Sequence, residues 1–228
     1  MLGSARTLMA QVDDTVLRWP TPRSRNWVGA LLKSAKTDPN IVSVVAVGSA
    51  VRPVVPSTDI DLVVICNDPN SVRGLARPLE VDLRAYSVTD TDALVESGHD
   101  MLGWAVKFGR VLFQRDHSWD RIVESWRHRL PLPSPEVARQ RAAAAFQHLS
   151  IVFKFGDMDA AQEQAIAYLT HLARAELIEM GVYPASRPEL AGQLRAAGNP
   201  ELADWLDRVL RCESPELLQV DQMLKMTA

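Results

Sequence analysis

Two kinds of apolar spacing follow one another along the chain. In the first half, apolar residues come in short continuous or alternating runs. Ile41–Val47 (IVSVVAV) is β-branched and almost wholly apolar, the pattern of a strand covered on both faces. Asp59–Cys66 (DIDLVVIC) is a second such run, but it opens on two acids, and the NDPN that follows Ile65 and Cys66 is turn chemistry. Leu79–Ser87 (LEVDLRAYS) alternates instead, with Val81, Leu83 and Ala85 on one side and Glu80, Asp82 and Arg84 on the other. Residues 1–37 carry two helical patterns separated by WPTPRSRN, the second over Trp27–Lys36. Helices are predicted around Thr89–Ser97 and Met101–Phe108, then a short last strand in GRVLFQRD. From Ser118 onward the strand pattern is gone. After the Pro-rich LPLPSPE at Leu130–Glu136, helical spacing runs over about Pro135–Phe155, Met158–Met180, Pro188–Ala196, Pro200–Arg211 and Pro215–Met226, with proline recurring in the first turn. The pattern predicts a small α/β or α+β domain over residues 1–117 and an all-α helical bundle over residues 118–228.

Composition narrows this picture only a little. The 228 residues are 47% apolar and 23% charged, enough for a sizeable core and against wholesale disorder. The formal net charge of -3 makes no global case for nucleic-acid binding. Two cysteines, Cys66 and Cys212, do not make a disulfide framework, and no Cys/His spacing suggests zinc. No apolar run approaches the roughly 20 residues that span a bilayer. The opening MLGSARTLMAQVDD is not read as a signal peptide. The expectation is a cytoplasmic protein with no membrane partner, a monomer or homodimer.

The chemistry concentrates in VAVGSAVRPVVPSTDIDLVVI, Val45–Ile65. Asp59 and Asp61 stand two apart at a strand start, so both point to one face, with Cα atoms about 6.6 Å apart. Carboxylates so close repel one another unless a cation sits between them. Hard divalent cations take a few carboxylate oxygens together with phosphate oxygens. Asp82, in VDL, has the same apolar flanks as Asp61 in IDL and supplies a third carboxylate for a two-metal site. Gly48–Ser49 follows the first strand directly. Glycine admits backbone N–H groups close to a phosphate, and Ser49–Arg52 is long enough for one helical turn before Pro53.

These residues resemble the signature of the DNA polymerase beta superfamily of nucleotidyltransferases. That signature is an apolar residue with Gly-Gly or Gly-Ser, a gap of about ten residues, an apolar-flanked Asp-x-Asp, then a third apolar-flanked acid. Here these are VGS, nine intervening residues, DIDL and VDL. The resemblance implies an α+β domain with a small mixed sheet, and transfer of a nucleoside monophosphate from a nucleoside triphosphate such as ATP with pyrophosphate leaving. It implies that Gly48 and Ser49 hold the triphosphate, with Arg52 and Thr58 at the nucleotide. Asp59, Asp61 and Asp82 would ligate two magnesium ions, or manganese in their place. Many relatives carry Arg-Gly after the Gly-Ser, whereas here Arg52 precedes Pro53, so the base preference is left open. Trp104–Asp116 and the segment from Phe153 to Leu190 resemble the small aminoglycoside type, of the kanamycin nucleotidyltransferase layout. The matching residues are Lys154, Gly156–Asp157, Tyr183–Pro184 and Arg187.

Lys154 is a candidate phosphate contact, and Glu163 and Glu176 are candidate general bases for the acceptor hydroxyl. Arg139 and Arg141, at a helix start that suits cations poorly, are read as lining an anionic substrate. His148 and His171 are expected to be core or boundary residues. The expected acceptor is a small, antibiotic-like molecule. The alternatives are a tRNA or a protein as acceptor, and a degenerate nucleotide-binding module that is not an enzyme.

Overall fold

A computed structural model describes residues 15–53 and 58–211. The helical pattern ahead of Trp19, up to residue 14, and the segment Pro215–Met226 lie outside the described residues. The fold is an α+β unit built on a small mixed sheet, followed by an all-helical unit, and the two divide between Pro131 and Leu132.

In the first unit, α1 (Pro22–Thr37) leads into β1 (Ile41–Val47). α1 begins five residues before the expected Trp27, because Thr21 and Ser24 form a capping box and Pro22 occupies the first turn. A single 3-10 turn, Ser49–Val51, follows β1. β2 (Ile60–Cys66) comes next, then α2 (Pro69–Arg73), a short helix where the sequence shows turn residues. The Asp68 side chain accepts from the Asn70 N–H and so starts that helix. β3 is Val81–Ser87, two residues later than the alternation suggests, since Leu79 is fully exposed and the Val81 N–H bonds the Pro78 carbonyl. α3 (Val88–Glu96), α4 (Asp100–Phe108), β4 (Arg110–Gln114) and α5 (Ser118–Trp126) complete the unit.

The strand order is β3-β2-β1-β4, with β2 and β3 parallel and the other pairs antiparallel. The two central strands read as continuous apolar runs because both faces are covered. Val44, Ala46, Ile60, Leu62 and Val64 pack against α1 on one face. Val45, Val47, Val63 and Ile65 pack with Leu102, Ala105, Trp119 and Trp126 on the other. Trp119 and Trp126 explain why α5, placed with the second domain by the division at residue 117, packs into the first unit. Its start is also tied down: the Gln114 Oε1 accepts the N–H groups of Trp119 and Asp120, both at 3.1 Å.

Arg115 ties three ends of this unit together. Its guanidinium donates to the carbonyls of Ile41 (2.9 Å), Asp38 (2.8 Å) and Ala35. These carbonyls lie at the C-terminal end of α1 and the first residue of β1, where α1 leaves carbonyls without helical partners. Arg115→Met is expected to destabilise the fold by about 2 kcal/mol, the usual cost of removing hydrogen bonds from a charged donor. Urea unfolding at pH 7 measures it, and a loss below about 0.5 kcal/mol would show that water replaces the contacts.

In the second unit, α6 (Pro135–Lys154) and α7 (Met158–Glu179) form an antiparallel hairpin. Ala142, Ala145, Ala161, Ala165 and Ala173 are all buried, so small side chains fill much of the seam between the two helices. Tyr168 packs its ring on Phe146 at 5.2 Å. α8 (Arg187–Ala196) and α9 (Pro200–Leu210) cover α7 with Leu190, Leu194, Leu202 and Leu206. The helix starts are capped: Ser134, Asp157 and Asn199 side chains accept from first-turn N–H groups, and Ser186 with Glu189 forms a capping box. Among the described residues, no helix is long and apolar enough to cross a membrane.

Candidate active site

The sheet brings the sequence-selected acids to one edge of one face. Ile60, Leu62 and Val64 take one side of β2, so Asp61 shares the opposite side with Val63 and Ile65. In the parallel register Asp61 lies directly beside Asp82, and Val81, Leu83 and Ala85 are buried on the α1 side. On its other flank Asp61 pairs with Val47, the last residue of β1, which places Gly48 against it. Asp59 is exposed, one residue before β2 begins.

Gly48 is required by this geometry. Its backbone (φ 77, ψ -162) lies in a region that side chains other than hydrogen do not tolerate. A Cβ there would overlap the Asp61 Oδ2 and sit 3.4 Å from its Cγ. The chain then turns through Ser49–Val51, where Ala50 and Val51 are buried and the Arg52 N–H bonds the Ser49 carbonyl at 3.1 Å. The expected helical turn at Ser49–Arg52 is this 3-10 turn.

The unfavourable electrostatics of the site converge on Asp61. Burial pushes its carboxyl up to about 7, and the neighbouring charges of Asp59 and Asp82 push in the same direction. Arg84, two residues beyond Asp82 on the same strand face, opposes them. Its Nε and Nη2 both donate to the Asp82 Oδ2, at 3.1 and 2.9 Å. The sequence alternation lists Arg84 beside Asp82 but does not single it out; the i, i+2 spacing is the signal that would have found it.

These acids fit a hard divalent cation by donor type and register: all are carboxylates, two are lateral neighbours, and their mutual repulsion is what a cation relieves. They do not form a closed cage in this conformation. Among the described residues, no three His, Cys, Asp or Glu side chains are gathered to hold a metal ion, and Arg84 occupies one Asp82 oxygen. An open depression of about 500 Å³ lies beside Asp82, lined by Leu75, Ala76, Arg77, Pro78, Leu79 and Val81.

The remaining candidates are dispersed. Arg52 lies with its guanidinium 4.9 Å from the Phe108 ring centre, a cation–π contact, and Phe108 in turn packs on Trp104. Thr58 is exposed, and Val54–Ser57 lie outside the described residues. Lys154 ends α6 and is exposed, and Glu163 is exposed on α7, so both belong to the second unit. Glu176 faces Arg139 at 3.7 Å, and Arg139 is held mainly by Glu179. Arg139 therefore pins α6 to α7 rather than lining an anionic substrate, because two carboxylates of the next helix already take it. His148 is exposed rather than a core or boundary residue, since its turn of α6 buries Leu149 instead.

No family model matches the chain, and no curated protein matches it. Among solved structures, the chain is similar to a nucleotidyltransferase-like protein from Exiguobacterium sibiricum 255-15. The two are 18% identical with a TM-score of 0.43, over 84% of this chain and 69% of the other.

Proposed function

We propose that this protein is a nucleotidyltransferase of the DNA polymerase beta superfamily. It moves a nucleoside monophosphate from a nucleoside triphosphate to a hydroxyl of a small-molecule acceptor, with pyrophosphate leaving. The observation that carries the reading is the placement of Asp61 between Asp82 and Gly48, on neighbouring strands of one sheet. A half-buried carboxylate forced beside two others is unfavourable unless a cation uses it. The glycine that seals its other side is the residue type that admits backbone close to a phosphate.

In this mechanism Asp59, Asp61 and Asp82 would hold two magnesium ions. When bound, they supply charge stabilisation at the α-phosphate and a more acidic acceptor hydroxyl. Gly48 and Ser49 present the turn after β1 to the triphosphate. Arg52 and Thr58 are the proposed contacts to the nucleotide, and Asp82 serves the acceptor end, beside the depression lined by Leu75 and Leu79. Lys154 is the proposed phosphate contact, and of the two candidate general bases Glu163 is preferred, since Glu176 has Arg139 for a partner. The formal net charge of -3 favours a small acceptor over a nucleic acid.

The test is incubation with each of the four nucleoside triphosphates, labelled at the α-phosphate, with magnesium. Hydroxyl-bearing antibiotics, total tRNA or the protein alone serve as acceptors. Label is expected on a small molecule, and chelation with EDTA is expected to abolish it. Label on tRNA or on the protein would replace the acceptor class, and no label together with no binding of magnesium-nucleotide would sink the enzyme reading.

A further inference from the structure

We propose that Arg84 is a displaceable counterion of the carboxylate site, holding Asp82 until a divalent cation and the phosphates of a nucleotide take over that contact. This rests on the nucleotidyltransferase reading above. Three observations point to it. Both guanidinium bonds converge on a single oxygen, Asp82 Oδ2, at 3.1 and 2.9 Å, a forked contact rather than a pair of parallel bonds. Arg84 and Asp82 are 55% and 40% exposed, so the pair is loosely held and the long side chain is able to swing away. Arg84 also offsets the negative field at Asp61, so its charge serves two of the acids and not Asp82 alone.

Arg84 holds Oδ2 of Asp82 and leaves Oδ1, but a divalent cation on Oδ1 would lie close to the guanidinium, and like charges at that separation repel. The metal position that uses Asp82 is therefore filled in competition with Arg84, while the position that uses Asp59 and Asp61 is not blocked in this way. A triphosphate arriving with its own cation supplies the charge that draws Arg84 off, since a guanidinium fork matches phosphate oxygens as well as it matches a carboxylate.

Manganese titration of the full chain by calorimetry, without nucleotide, tests this directly. Wild type, Arg84→Met, Arg84→Lys and Asp82→Asn are compared, with circular dichroism confirming the fold of each. In Arg84→Met the weaker manganese site is expected to tighten by about 2- to 5-fold, the scale of an exposed ion pair. Arg84→Lys keeps the charge without the fork and should fall between the two, which also carries the test if the methionine variant folds poorly. Adding Asp82→Asn to Arg84→Met should remove the gain. Manganese bound by wild type but held no tighter in Arg84→Met and Arg84→Lys would overturn the counterion and leave the nucleotidyltransferase reading standing. The titration is repeated with ATP present, and manganese bound by none of the chains in either titration would overturn both.

Discussion

Asp61→Asn should lose nucleotide transfer by at least about three orders of magnitude and, in metal-free buffer, become more stable than wild type as the pH rises. The loss follows from charge. An amide cannot supply the anionic oxygen that a divalent cation needs, and several kcal/mol of transition-state stabilisation at 1.36 kcal/mol per tenfold gives that scale. The gain follows from linkage. The Asp61 carboxyl is raised to about 7 in the folded protein from an ordinary value near 3.8. Between those values the native state keeps a proton that the unfolded chain has released. The contribution of the protonated group is therefore fully present below about pH 4 and is lost as the pH passes through about 7. Some three pH units correspond to about 2–4 kcal/mol after allowance for a side chain that is not wholly buried. Urea unfolding in EDTA at pH 4, 6 and 8 measures the difference between the two proteins. It should be near zero at pH 4 and largest at pH 8, and magnesium should close it by stabilising wild type alone. A difference that does not change with pH would show that Asp61 is an ordinary solvated strand end.

The parts of this site that could be read from the sequence are those that depend on periodicity. Continuous apolar runs at Ile41–Val47 and Ile60–Cys66 require two covered faces, and the structure covers them with α1 on one side and α4 and α5 on the other. The alternation at Val81–Ser87 puts Asp82 opposite its buried neighbours, and the parallel register then sets it beside Asp61. What periodicity cannot carry is the choice of partner. The i, i+2 spacing on β3 puts Arg84 within reach of Asp82 but does not decide that it folds back rather than extending into water, and no spacing says that Arg139 will find Glu179 forty residues away. The same limit explains α5. Its Trp119 and Trp126 have helical spacing and identify a buried face, but which core they enter depends on contacts with Val45 and Ile65 that are distant in sequence. Boundaries moved for a different reason: Thr21 and Pro22 decide where α1 starts, and a cap outweighs the first apolar residue at Trp27.

Gly48→Ala should be the second most damaging change at this site, with nucleotide transfer reduced by about 100-fold or more and stability by about 2–3 kcal/mol. Two costs combine. The backbone at Gly48 (φ 77, ψ -162) is one that only glycine adopts without strain, worth about 1–3 kcal/mol for any other residue. The added methyl would also overlap the Asp61 Oδ2, so either the carboxylate turns away or the turn at Ser49–Val51 lifts off β2. Both adjustments move the groups that the proposed mechanism needs fixed, and a displacement of about 1 Å is enough to cost two orders in rate. The two costs separate in a double-mutant cycle with Asp61→Ala, which leaves the backbone strain and removes the overlap. In the absence of metal, the stability losses of the pair should be less than additive by about 1–2 kcal/mol, since contacting residues couple on that scale. Simple additivity would mean that the methyl never meets the carboxylate, and that Gly48 is present for the turn alone rather than for the close approach of β1 to Asp61.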